Sequence, residues 1–322
     1  MFSVIIPLYN KEKYIAHTLQ SVLDQTFHDF EIIIVNDGST DESVKEVEKF
    51  HDERIRLVEQ TNAGVSAARN RGIEEAKYDL IAFLDADDLW EIDFLQTAFE
   101  LHEHYPRCDI FALNYKIMTA EETFHYPIIN GIPTSFHHGI IQDYFKIASQ
   151  SDPLICSISV VIKKESLRGI GGFPVGIRAG EDLLTWAKLA VQFDIAYTKE
   201  QKAIFNRIGQ KVNTPPRKPD MHNRVGEELR TLLGTGKADK IHELKSYIAF
   251  WHKIRLANFL RLGEQVSARG EFRLMSEFAK KDLKYFIYAF LVYSPTSILK
   301  PLTQSVLHVN RLRRKVLSKY GK

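Results

Sequence analysis

Residues 80 to 90 read LIAFLDADDLW, in which an apolar run from Leu80 to Leu84 ends abruptly in Asp85, Asp87 and Asp88. Carboxylates this close repel one another and each resists losing its water. A chain that crowds them at the end of a buried strand supplies a cation or uses them in chemistry. Three readings follow: acids at a solvated turn or helix N-terminus, a metal site for a phosphorylated ligand, or an acid nucleophile. Mg²⁺ or Mn²⁺ takes oxygen ligands, commonly one or two carboxylates with substrate phosphates and water. The chain has no GxxxxGK[ST] run, and no GxGxxG follows a strand. A phosphate-bearing ligand is therefore expected to be held through metal at DADD rather than by a glycine-rich cradle.

Two further acidic positions have types suited to catalysis. Glu181 and Asp182 follow a glycine-rich stretch, GGFPVGIRAG, and open the helix-like run EDLLTWAKLA. Such a pair either favours the helix dipole or supplies a general base within reach of an acceptor hydroxyl. Asp37, in VNDGST, is either a turn residue or an acceptor for a base or ribose hydroxyl at a strand end. Trp186, one turn after Asp182, reads as core packing ahead of a sugar-stacking platform.

The elements that must position these residues are legible as alternation. Residues 3 to 9, 31 to 37, 55 to 59 and 80 to 84 are short apolar runs rich in Ile and Val, suited to strands buried on both faces. Between them, Tyr14, Ile15, Leu19, Val22 and Leu23 share one helical face, Ser39 and Glu42 form a capping-box pattern, and a third helix runs from Gly64 to Ala76. Strand and helix alternating at this spacing imply βαβ units and an open, mostly parallel sheet, with ligands at the strands' carboxyl ends. Those ends carry Pro7, Tyr9 and Asn10, then Asn36 to Gly38, then Gln60 to Gly64, then DADD. Past residue 90 the pattern predicts a helix from Ile92 to His104, strands at 109 to 115 and 155 to 162, and an extended edge strand over YKIMTAEETFHYPI.

The 322 residues are 44% hydrophobic and 26% charged, an ordinary folded composition with room for one large domain and an appendage. Two cysteines form no disulfide framework and favour a reducing, cytoplasmic setting, while MFSVIIPLYN lacks the basic segment of a signal peptide. Prolines in TPPRKPD mark an edge, giving a catalytic domain at 1–213 and a helical region at 214–322. From Lys237 to Lys322 the chain holds 18 Lys and Arg against 6 Asp and Glu. This basic, aromatic part is either a solvated face and a helical hairpin or a surface drawn to anionic membrane. Its uncharged run from Tyr285 to Leu299 is broken by Ser294 and Pro295 and is shorter than the roughly 20 residues of a membrane span.

Taken together, VIIPLYNKEKYIAHTLQSVLDQTFHDFEIIIVNDGSTD, NAGVSAARNRGIEEAKYDLIAFLDADD and GEDLLTWAKLA resemble the family 2 glycosyltransferases in order and spacing. The resemblance is strong over residues 1 to 90, weaker to about 207 and absent beyond. It implies a GT-A fold: an α/β, Rossmann-like sheet flanked by helices, here with a helical C-terminal extension. It also implies inverting transfer from a nucleotide-diphosphate sugar, most often a UDP-sugar, to an acceptor hydroxyl on a glycan or lipid-linked acceptor. By position, Pro7, Tyr9, Asp37, Gly64, Arg69 and Asp85 border the nucleotide sugar, Asp85 and Asp87 form the DxD motif that with Asp88 meets divalent metal (Mn²⁺ or Mg²⁺), and Asp182, supported by Glu181, is the base. AIFNRIGQ at 203–210 lacks the Trp of the QxxRW motif found in processive members, so one or a few sugars are expected to be added. No nucleic-acid partner is expected, and the site is expected on the cytoplasmic side, peripheral to the membrane. Two alternatives are a haloacid-dehalogenase-like phosphatase, whose motif FLDADD departs from at Leu89, and an inactive transferase-like membrane scaffold.

Overall fold

The computed structural model describes residues 1–208, 218–235, 238–241 and 243–295. In chain order the elements are β1 (Phe2–Leu8), α1 (Ile15–Leu23), β2 (Phe30–Asn36), α2 (Ser43–Glu48), β3 (Ile55–Glu59), α3 (Val65–Glu75), β4 (Leu80–Phe83) and β5 (Leu89–Trp90). Then come α4 (Phe94–His104), β6 (Ile110–Ala120), β7 (Thr123–His125), β8 (His138–Ile140), α5 (Tyr144–Gln150), β9 (Val160–Lys163), α6 (Lys164–Gly169), α7 (Glu181–Ala190) and β10 (Ile195–Asn206). The helices α8 (Arg224–Thr231), α9 (Ala238–Ile241), α10 (Leu244–Leu262), α11 (Gln265–Ser276) and α12 (Leu283–Tyr293) complete the described chain.

The contacts separate two compact units. The first holds residues up to Tyr144 and those from Ser151 to the end of β10; the second holds Phe145–Gln150 and the described residues from Lys218 on. The expected boundary at 213/214 lies outside the described residues, as does the basic run RLRRKVLSKYGK.

Among the described residues the strands make one sheet with the path β3-β2-β1-β4-β9-β6-β10-β5, β7 and β8 pairing at its sides. β3, β2, β1 and β4 are parallel neighbours, and β6 and β10 are parallel to each other. β9 runs antiparallel between β4 and β6, which keeps those six strands in a common direction. The apolar runs become strands because both faces are covered: every residue of β2 and β4 is buried. On one face Ile15, Leu19 and Val22 of α1 sit at i, i+4 and i+7 in the same core as Val4, Ile6 and Leu8. On the other, α3 lies so close to β1 that a Cβ on Gly72 would stand 2.3 Å from Ile5 Cγ2.

Several expectations are corrected. The Ser39–Glu42 capping box does not form: α2 starts at Ser43, whose N–H bonds Asp41 Oδ1 at 3.0 Å, while Ser39 Oγ accepts the Asn10 N–H at 3.1 Å. The stretch 115–128 is not one edge strand but the end of β6 turning at Glu122 (φ 55°) into β7. ICSISVVI is strand only from Val160, preceded by a 3₁₀ turn at Ser157–Ser159. β10 and its antiparallel partner β5 were not foreseen.

The second unit has its own core, in which Leu256, Phe259, Phe272, Met275, Leu291 and Val292 of α10, α11 and α12 meet. Phe145 belongs to this unit though not to that core, with its ring centroid 5.4 Å from that of Tyr247. No described helix is long and apolar enough to cross a membrane.

Candidate active site

Because β2, β1 and β4 are adjacent and parallel, their carboxyl ends deliver three polar loops to one edge of the sheet. Pro7 is half-buried within β1 opposite Val35, and Tyr9, just past the strand, is 47% exposed. Asp37, the first residue beyond β2, is 3% exposed and accepts three hydrogen bonds: from Gln60 Nε2 at 2.7 Å, Ala63 N at 2.8 Å and Gly64 N at 2.9 Å. Its carboxylate thus shapes the loop that starts α3. Gly64, with φ 89° and ψ 165°, occupies backbone space closed to residues with a side chain, so only glycine turns this loop without strain.

The DADD carboxylates do not converge; each has its own partner. Asp85 Oδ1 accepts from Arg69 Nη2 at 2.8 Å, and Asp87 pairs with Lys11 Nζ. Asp88 is 1% exposed; its Oδ1 accepts from Asn206 N at 2.7 Å, its carbonyl accepts from Thr18 Oγ1 at 2.9 Å, and its Oδ2 has no partner. Burial, with the Asp85 charge adding to it, pushes the Asp88 carboxyl up to about 9. Among the described residues no three His, Cys, Asp or Glu side chains are gathered as a metal cage. The orphaned, buried Asp88 Oδ2 beside the Asp85 charge does fit a hard cation whose other ligands come from a diphosphate.

Arg69 ties this loop to the second acidic pair. Its side chain is 4% exposed, hydrogen-bonded to Asp85, with Nη1 4.0 Å from Glu181 Oε1 and the guanidinium carbon 5.1 Å from the Phe173 ring centre. Burial alone would lower its pKa, but the charges of Asp85, Asp182 and Glu181 outweigh that and raise it. Glu181 and Asp182 are the first residues of α7, where Asp182 Oδ1 accepts the Leu183 N–H at 2.7 Å. Burial raises both carboxyls above the ordinary range, Asp182's charge adding to the rise at Glu181 and Arg69 opposing both. Asp85, Arg69, Glu181 and Asp182 therefore form one electrostatic cluster, Asp37 and the Gly64 N–H belong to a separate hydrogen-bonded loop, and exposed Tyr9 is joined to neither among the described residues.

Trp186 is a core residue, fully buried with its ring edge-on to Phe173 at 5.7 Å. Sequence reasoning placed Gln60 at a strand end without its partner Asp37, and missed Lys11 and the Asn206 backbone N–H. Lys11 carries a faint signal, a cation three residues beyond the end of β1; Asn206 carries none, since it acts through its main chain from the far end of β10.

Comparison with known proteins bears on this arrangement. The profile described as glycosyl transferase family 2 matches residues 3–168. The putative teichuronic acid biosynthesis glycosyltransferase TuaG of Bacillus subtilis is 35% identical over 201 residues, covering 61% of this chain and 75% of TuaG. Glycosyltransferase GlyA of Streptococcus pneumoniae is 40% identical over 126 residues, 38% of this chain but 18% of GlyA. An uncharacterized glycosyltransferase of Rickettsia bellii is 33% identical over 193 residues, 58% of this chain and 26% of that protein. The chain thus spans only a minor part of these last two relatives. Among solved structures, S. aureus TarS 1-349 in complex with UDP-GlcNAc superposes with a TM-score of 0.66 at 20% identity, over 86% of this chain and 81% of that one. The mannosyltransferase PcManGT of Pyrobaculum calidifontis, in complex with GDP-Man and Mn²⁺, gives 0.54 at 18% identity over 100% and 87%.

Proposed function

The chain belongs to glycosyl transferase family 2 and is a glycosyltransferase; from that premise we propose that it transfers a sugar, with inversion, from a UDP-sugar to an acceptor hydroxyl of a cell-surface glycan or polysaccharide. The observation that carries this reading is the Arg69 bridge. A single buried guanidinium spans the strand-end acid Asp85 and the helix-start acids Glu181 and Asp182, so a leaving group and an attacking hydroxyl can be served side by side. UDP-GlcNAc in TarS and teichuronic acid synthesis in the name of TuaG support a UDP-sugar and a surface polymer; GDP-Man in PcManGT marks the other nucleotide to test.

In this mechanism Pro7, Tyr9, Asp37 and the loop to Gly64 hold the nucleoside at the carboxyl edge of the sheet. Asp85, Asp88 and, once freed from Lys11, Asp87 would hold a divalent cation, Mn²⁺ or Mg²⁺, which supplies charge stabilisation for the departing diphosphate. Asp182 accepts the acceptor's hydroxyl proton as its oxygen attacks the anomeric carbon opposite the leaving group, and one displacement inverts configuration. Glu181 and Arg69 set the charge around that base. The same reading places the protein on the cytoplasmic face of the membrane, peripherally held, near a lipid-linked acceptor.

The test is Asp182→Asn, which keeps shape but removes the base. Loss of roughly 10²–10⁴-fold in transfer is expected, with UDP binding retained in calorimetry. Undiminished transfer by this variant would sink the assignment.

A further inference from the structure

We infer that the outward face of α12 is the surface by which this protein rests on an anionic lipid bilayer, the helix lying in the interface plane. The inference deepens the peripheral-membrane reading above and rests on it.

Leu283, Phe286, Ile287 and Phe290 recur at i, i+3, i+4 and i+7, one stripe of the helix, and are 76%, 56%, 40% and 60% exposed. Tyr293 continues the stripe at 64%. The orientation is fixed by packing on the other side: Leu291 and Val292 are buried in the second unit's core, and the Tyr285 ring lies 5.2 Å from that of Phe272. A contiguous outward apolar stripe is rare on a protein that meets only water. At 1.5 Å per residue the helix is about 16 Å long, half the roughly 30 Å of a bilayer's hydrocarbon, so it can lie on a membrane but not span it.

The charge around the stripe selects the occupant. Lys280, Lys281 and Lys284 are exposed at its start, and burial together with the Lys284 charge lowers the pKa of nearby Lys253. At its end the Arg269 guanidinium stands 5.8 Å from the Tyr293 ring centre. Beyond Pro295 the sequence continues for 27 residues with seven Lys and Arg and no Asp or Glu. Two copies meeting through this face would bring the lysines at its start and Arg269 at its end against like charges. An anionic headgroup layer meets the cations while its acyl boundary takes the rings, and an aromatic residue such as Tyr293 suits that boundary.

The experiment sediments the full chain with vesicles of phosphatidylcholine alone and of phosphatidylcholine with phosphatidylglycerol, for the wild type and for Phe286→Ser/Phe290→Ser. Wild-type binding to the anionic vesicles only, weakening with salt, and at least a tenfold loss in the double variant are expected. Hydrogen exchange of wild-type α12 should slow on adding anionic vesicles, which decides the matter even where the variant folds poorly. No wild-type binding to anionic vesicles overturns the peripheral reading itself. Binding that persists in a folded double variant, or α12 exchange unchanged by lipid, leaves the peripheral reading standing and overturns the role of this face. A wild-type dimer that the double variant dissociates, without vesicle binding, assigns the stripe to a second copy and overturns the inference.

Discussion

At Arg69 five donor positions meet two acids and one ring, yet Nε and Nη1 have no hydrogen-bond partner. A buried guanidinium with spare donors beside carboxyls pushed upward acts mainly through its field. Arg69→Met removes the positive charge that opposes the rise at Asp182, so the acid limb of the pH profile of kcat/KM should move to higher pH. A limb that stays put would separate Arg69 from the base proposed at Asp182. Asp88 gives a second prediction. An acid with a native pKa of about 9 binds its proton more tightly folded than unfolded, so ionising it as pH rises from the ordinary carboxylate range toward 9 removes stability. Metal-free protein should lose thermal stability across that window, and Asp88→Asn should flatten the loss, as melting curves at several pH values would show. The types and spacing of Asp85, Asp88, Glu181 and Asp182 were legible because acids placed after a buried strand or at a helix start are conspicuous. Lys11 was not, since a lysine in a loop looks like any other until the fold sets it against Asp87.

The elements of the first ninety residues were readable because each is local: a buried run, a turn, an amphipathic helix. The register confirms their alternation strand by strand. Beyond them the sheet depends on partners far apart in sequence. β5 is only Leu89–Trp90 and exists because it pairs with Ala203 and Ile204, more than a hundred residues on, a pairing no local pattern announces. The packing of α3 on β1 allows a test. Ala at a helix interior is favoured over Gly by about 1 kcal/mol, but at Gly72 the new methyl would overlap fully buried Ile5. Overpacking of this kind costs about 1–3 kcal/mol, so Gly72→Ala should lower the melting temperature; a rise would mean that β1 and α3 part more readily than their contact suggests.

At the scale of the whole molecule, each unit carries its own core, and the second also buries an ionic network. Glu271 accepts from Arg255 Nε and bonds His252 Nδ1, both at 2.7 Å, and all three side chains are 7% exposed or less. Removing one partner of such a buried set strands the others and costs about 3–5 kcal/mol. Glu271→Ala should therefore lower a calorimetric transition without weakening the nucleotide binding proposed for the first unit; loss of both would make the two units a single cooperative block.

The helix α5 adds a constraint of timing. Phe145 leaves the ribosome roughly 100 residues before Tyr247, a wait on the order of 5–20 s at ordinary elongation rates, and the ring contact between them forms only when both are present. A first unit that closed during synthesis would do so carrying an apolar segment that belongs to a later one. A gene cut at the apparent domain edge would make that orphan permanent, and its product should be a client of chaperones.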